Sequence, residues 1–262
     1  MEIVYNGIYG KKKKRVGKKT KIQFAQDQKT AGHKARDAGQ KTPAQIVPIV
    51  NRQDFKKQYL QNYYLFDPAS YGRVYAFVDF ANVRKWAKSF WLKENQKYLV
   101  REIDISKVGE VIDFISPAKK FFYYGHYREY IDLDSNHPLN IKHRKSIYRI
   151  SRARDARFTV RSKAVKEISD FDEFGAYQGK INKCNFDIEI AMDMLQKIDK
   201  YDTVFLWSGD SDFHILLQYL KSKNKKVITI CVRDFVSEEL HKHSDLYIPA
   251  DPLADYLEYM KV

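Results

Sequence analysis

A three-layer α/β fold, with a mostly parallel sheet and helices on both of its faces, is predicted by three features of this sequence. Short runs rich in β-branched and aromatic residues alternate with stretches of helical spacing. The runs are apolar throughout rather than alternating, as in strands buried on both faces. The first and the fourth of them end abruptly in acidic turns, Asp79 and Asp210.

Taken in order, residues 1–50 hold 12 Lys/Arg against Glu2, Asp27 and Asp37, show no sustained period, and end in Pro43 and Pro48. They read as a basic tail that is disordered until bound. Its Lys11 to Arg15 cluster suits a phosphate anchor and an import signal equally. Residues 51–72, with Phe55, Tyr59, Leu60, Tyr63, Tyr64 and Phe66, read as an aromatic helical lead-in that packs on the domain C-terminal to it.

The domain proper spans 73–262. Val74 to Val78 is a compact strand that stops at Asp79, and the next helix runs through Trp86, Phe90 and Trp91. Ile103 to Ile115 has helical spacing and ends at Ser116-Pro117. Phe121 to Gly125 is the second strand, Leu139 to Ser151 a strongly basic helix, and Arg157 to Arg161 a third short strand. The Gly-, Lys- and Asn-rich stretch 175–185 reads as a loop, so 131–175 looks like a basic insert. A helix runs from Phe186 to Leu195, and Thr203 to Trp207 is the fourth strand. Phe213 to Lys223 is helical, Lys226 to Val232 is the fifth strand, and Ser237 to His241 a short helix. Leu246 to Ile248 is the last strand and Pro252 to Met260 a closing helix. Strands that alternate with helices call for right-handed βαβ units.

Composition narrows the function. The net charge is +14, and the tail carries most of the excess. A basic tail on a mildly basic body favours a polyanion, above all nucleic acid. No apolar run approaches the roughly 20 residues that cross a bilayer, and no secretory leader is visible, so a cytoplasmic protein without a membrane partner is expected. Cys184 and Cys231 make no metal or redox spacing. His126, His214, His241 and His243 share no ligand spacing with the acids, and Ser208 and Ser211 lack a partnered histidine.

The acids carry the chemistry. In a doubly wound sheet the first and fourth strands lie at the middle, and their carboxyl ends flank the crevice where strand order reverses. Asp79 would then face Asp210 and Asp212, with Asp187 at a helix start closing the third side. Each acid taken singly serves equally well as a helix cap. Gathered together they need a compensating cation, because neighbouring carboxylates cannot all stay ionised without one. Oxygen ligands without His or Cys point to Mg²⁺ or Mn²⁺, and such a site suits phosphodiester hydrolysis.

Three segments then carry a resemblance: Phe77-Val78-Asp79-Phe80-Ala81-Asn82-Val83, Phe186-Asp187-Ile188-Glu189-Ile190-Ala191-Met192-Asp193-Met194-Leu195, and Trp207-Ser208-Gly209-Asp210-Ser211-Asp212-Phe213. In wording and order they are similar to the NYN domain of the LabA-like group, within the PIN-like nuclease superfamily. The likeness runs from about Arg73 to about Ile248. It departs at Ala81, where a polar residue is usual, and at His214-Ile215, where a proline is common.

The resemblance implies a Rossmann-like (PIN-like) domain and a metal-dependent ribonuclease. It makes Asp79, Asp187, Asp210 and Asp212 the catalytic and metal carboxylates and puts Asn82 beside them. Asp193 matches an acidic position too, but lies roughly 240° round the helix from Asp187; it and Ser208 are therefore support residues. The expected function is endoribonuclease action on single-stranded or loop RNA. Lys142, Arg144, Lys145, Arg149, Arg152 and Arg154 form a rail for the RNA backbone, and Lys180 and Lys183 reach the scissile phosphate. The competing readings are an inactive RNA-binding adaptor on the same fold and a metal-dependent phosphatase or nucleotidase. A homodimer or a larger protein complex fits the sequence as well as a monomer does.

Overall fold

The computed structural model describes residues 51–64, 66–93 and 101–260. The basic tail expected at 1–50 lies outside them. Among the described residues no helix is long and apolar enough to cross a membrane.

The strands are β1 (Val74–Asp79), β2 (Arg101–Ile103), β3 (Lys119–Tyr123), β4 (Thr159–Arg161), β5 (Lys166–Phe171), β6 (Tyr177–Lys183), β7 (Thr203–Trp207), β8 (Lys226–Cys231), β9 (Leu246–Pro249) and β10 (Glu258–Met260). The helices are α1 (Phe80–Val83), α2 (Trp86–Lys93), α3 (Ile105–Asp113), α4 (Pro138–Asp155), α5 (Asp187–Gln196), α6 (His214–Ser222), α7 (Glu238–His243) and α8 (Ala254–Leu257).

The main sheet has six strands in the order β4-β3-β1-β7-β8-β9, and every neighbouring pair is parallel. Counted along the chain this is the doubly wound order 3-2-1-4-5-6, whose switch point lies between the first and fourth strands. Those strands are β1 and β7. Every residue of both is buried, which explains their unbroken apolar composition. Side chains alternate between two cores. Val74, Ala76 and Val78 face Trp86, Val108, Ile112 and Ile150. Tyr75 and Phe77 face Ile190, Met194, Leu217 and Leu220 on the other side. Helices therefore cover both faces, giving the expected three layers.

The lead-in begins as a helical turn at Arg52–Asp54, capped by Asn51, and continues with π-type hydrogen bonding over Phe55–Tyr63. Phe55, Tyr59 and Leu60 are buried in the first core. The Phe55 ring lies 5.5 Å from that of Phe114.

The structure corrects several element boundaries. Residues 101–103 form β2, and the helix begins only at Ile105, where the Asp104 side chain accepts the Ser106 N–H at 2.8 Å. The basic helix runs from Pro138 to Asp155, with its proline in the first turn, where no N–H is needed. The expected loop at 175–185 is largely strand, because β5 and β6 form an antiparallel hairpin. Its residues are mostly exposed, so no buried face imposes an apolar alternation that sequence could reveal. The closing helix is confined to a turn and α8. The chain then extends as β10 and pairs antiparallel with β2.

Candidate active site

Asp79 is the last residue of β1 and is buried. Its Oδ1 accepts the N–H groups of Ala81 at 3.1 Å and Asn82 at 3.2 Å, so it caps α1 and turns the chain out of the sheet. Val78 is in register with Trp207, and the next residues therefore leave the sheet side by side. Ser208, fully buried, donates its hydroxyl to Asp79 Oδ2 at 3.5 Å and accepts the Asp210 N–H at 3.3 Å. Ser208 thus links the two acidic turns.

Asn82 adds a second link. Its Oδ1 accepts the Trp86 Nε1–H at 3.2 Å and the Gly209 N–H at 3.3 Å. The oxygen ties turn to turn. Asp210 caps the 3₁₀ turn Ser211–Phe213, its Oδ1 accepting the Asp212 N–H at 3.1 Å. Gly209 has no room for a side chain, since a Cβ there would collide with the Phe235 carbonyl and Cys231 Sγ.

Asp187 opens α5, and its N–H donates to Asn185 Oδ1 at 2.8 Å. The electrostatics bind the group together. Burial pushes the Asp79 carboxyl up to about 6; the Asn82 amide works against this, Asp187 and Asp210 add to it, and Lys85 offsets part. Burial also raises Asp187, with Asn185 opposing and Asp210, Asp212 and Glu189 contributing. Asp79 thus feels Asp187 and Asp210, and Asp187 feels Asp210 and Asp212; Asp79 is buried, Asp187 and Asp210 are half-buried and Asp212 is exposed. A donor set of carboxylate oxygens without His or Cys fits Mg²⁺ or Mn²⁺. Among the described residues, no three His, Cys, Asp or Glu side chains are drawn into a ready-made metal cage. The fit thus lies in donor chemistry and charge. Glu189 joins this field and was missed in the sequence, although it stands one helical step past Ile188; its carboxylate pairs with Lys163.

The NYN domain family model matches residues 73–253, more than half of the chain. The chain belongs to the NYN domain family. It is 31% identical over 101 residues to the Low amplitude and bright protein LabA of Synechococcus elongatus (strain ATCC 33912 / PCC 7942 / FACHB-805). That match takes in 38% of this chain and 53% of the relative, so the chain spans about half the length of that protein. Among solved structures, a protein of unknown function from Vibrio parahaemolyticus RIMD 2210633 aligns with a TM-score of 0.48 and 21% identity. The alignment covers 69% of this chain and 94% of the other.

Asp193 of this NYN domain stands apart from the acidic group. It is buried on the side of α5 that faces β3 and β4. It accepts the Tyr123 hydroxyl at 2.8 Å, Arg161 Nε at 3.0 Å and the Lys197 ammonium. Its work is to hold helix to sheet.

The basic residues divide by partner. Arg149 of α4 pairs with Glu102 at 2.7 Å and donates to the Tyr124 hydroxyl at 3.3 Å, and Arg152 donates to Ser106 Oγ at 2.7 Å. Both are half-buried and fasten α4 to β2 and α3. Arg144 donates to the Ser135 carbonyl. Lys142, Lys145 and Arg154 are exposed, and the Lys142 ammonium lies 5.7 Å over the Tyr127 ring. Lys180 and Lys183 sit on strand β6 rather than in a loop, and Lys180 pairs with Glu167 at 3.0 Å. Sequence reasoning passed over Arg84, Lys85 and Lys88, which line a cavity of about 360 Å³ next to Ala81. Their only signal was three cations within five residues, directly after the first acidic turn.

Proposed function

We propose that this chain is a metal-dependent endoribonuclease that hydrolyses phosphodiester bonds in single-stranded or loop RNA. The observation that carries the reading is that Asp79 and Asp210 end neighbouring strands at the switch point of the sheet, joined through Ser208, and that Asp187 acts on Asp79 while Asp210 and Asp212 act on Asp187. Burial raises Asp79 and Asp187, and the neighbouring acids raise both further. Membership of the NYN family, with its likeness to PIN-like nucleases, supports it.

Asp79, Asp187 and Asp210 would hold one or two Mg²⁺ or Mn²⁺ ions. When bound, such an ion acidifies a water and polarises the phosphate. Asp212, the most exposed of the four, is suited to take the proton of the attacking water on a carboxylate oxygen. Asn82 and Ser208 keep the Asp79 and Asp210 turns in one arrangement, so the carboxylates need not reorganise when substrate arrives. The tail and the exposed cations of α4 would add salt-sensitive contacts to the RNA backbone.

The deciding experiment is cleavage of a labelled single-stranded RNA with Mn²⁺ or Mg²⁺, with a chelator, and with Asp210→Asn in parallel. Cutting that needs metal and is lost in the variant supports the reading. A second reading, an RNA-binding adaptor without catalysis, is favoured by the lack of a ready-made cage among the described acids. Salt-sensitive binding without cutting, unchanged by Asp210→Asn, would establish that reading instead.

A further inference from the structure

The cavity of about 360 Å³ opens beside the first acidic turn, with Ala81, two residues past Asp79, in its lining. Its lining brings Arg84, Lys85 and Lys88 together with Tyr127, Val165 and Asn182, from the approach to α4 and the base of the β5–β6 hairpin. No carboxylate lines it. All three cations are exposed, and among the described residues none of them is ion-paired. Arg84 donates to the Tyr124 hydroxyl at 3.4 Å. Several cations elsewhere are neutralised, since Lys120, Arg149, Arg161, Lys163, Lys180, Lys197 and Lys221 each have a carboxylate partner; what sets these three apart is that they line one cavity together. Three cations lining one cavity repel one another unless an anion joins them.

We propose that this cavity is a nucleotide subsite for single-stranded RNA. In it, Arg84, Lys85 and Lys88 hold the phosphate next to the scissile one, and the base enters beside Tyr127. The inference rests on the ribonuclease reading for the position of the scissile phosphate at the acids. The cavity lies at the small end of ordinary ligand pockets, which run from about 300 to 1,000 Å³, so it takes one nucleotide rather than a duplex. A base enters such a pocket only when it is unpaired. The cations also answer a problem the acids create: a strand repelled by the carboxylates is held one nucleotide away.

The test uses the full chain carrying Asp210→Asn, so that binding is read without cutting. Affinity for a fluorescent single-stranded RNA is measured across a salt series, with and without Arg84→Gln, Lys85→Gln and Lys88→Gln combined. Loss of all three contacts to that one phosphate should weaken binding at least about tenfold and flatten the log–log salt slope by about 0.7. Binding to a duplex of the same sequence should be weaker and unmoved by the triple change. The three side chains are exposed, so folding should survive; should it not, Lys88→Glu alone must shift affinity in the same direction. Equal affinity and salt slope in parent and variant overturn the subsite. So does a parent that binds no RNA. Full cutting by the triple variant on an Asp210 background would overturn the subsite and leave the ribonuclease standing. RNA held through these cations but never cut with metal would sink the ribonuclease and leave the subsite.

Discussion

The Asn82 side-chain oxygen accepts the Gly209 N–H at 3.3 Å and so joins the turn after β1 to the turn after β7. The same oxygen satisfies the indole N–H of Trp86, which is fully buried. Asn82→Ala leaves both donors without that partner. An unsatisfied buried donor costs about 1–3 kcal/mol, and the loss should appear as a lower urea midpoint with an unchanged slope. RNA cleavage should fall further than stability accounts for, because the two acidic turns are no longer held in one register.

Gly209→Ala tests the same turn from its other side. A Cβ at this position meets the backbone of Phe235 and the buried Cys231, and backbone yields less readily than a flexible side chain. Overpacking of this kind costs about 1–3 kcal/mol. A lowered melting temperature together with lost cleavage is expected. A variant as active and as stable as the parent would show that the turn can move aside.

Asp193 should contribute to the acid limb of stability. Burial alone would raise its carboxyl, but hydrogen bonds from Arg161, Lys197 and Tyr123, and the Lys197 charge, hold it at about 2. The folded value lies below the ordinary carboxylate value of about 3.9. The contribution is therefore complete above about pH 4 and is lost as pH falls toward 2. Asp193→Asn should flatten the fall in stability across that window, as read by denaturant melts at successive pH values.

The lead-in is part of the folded unit. Phe55 is fully buried and packs on Phe114. Phe55→Ala should cost about 3–5 kcal/mol, the usual range for a buried Phe truncated to Ala. A loss under about 1 kcal/mol, measured by chemical denaturation, would mean that the aromatic lead-in is dispensable.

Local pattern made most of the scaffold legible. β1, β3, β7 and β8 are buried nearly throughout, and burial of both faces writes itself into sequence as an apolar run. The acids that end β1 and β7 were readable for the same reason, since an abrupt polar stop marks where a buried strand leaves the core. The β5–β6 hairpin was not. Ile168 and Asp170 are its half-buried positions on β5, too few to print a period of two. The pairing of β10 with β2 was hidden too, because it joins Glu258 to Ile103 across the length of the domain.

By itself, then, the sequence determined an α/β domain of doubly wound type with acidic turns after its first and fourth strands, because burial and turn chemistry are local properties. Only the tertiary structure decided which charges are occupied. Arg149 and Lys180 look no different in sequence from Arg84 and Lys88, yet the first two meet Glu102 and Glu167 while the last two face a cavity. Charge pairing depends on distances between residues far apart in the chain, and those distances exist only once the sheet and its helices have packed.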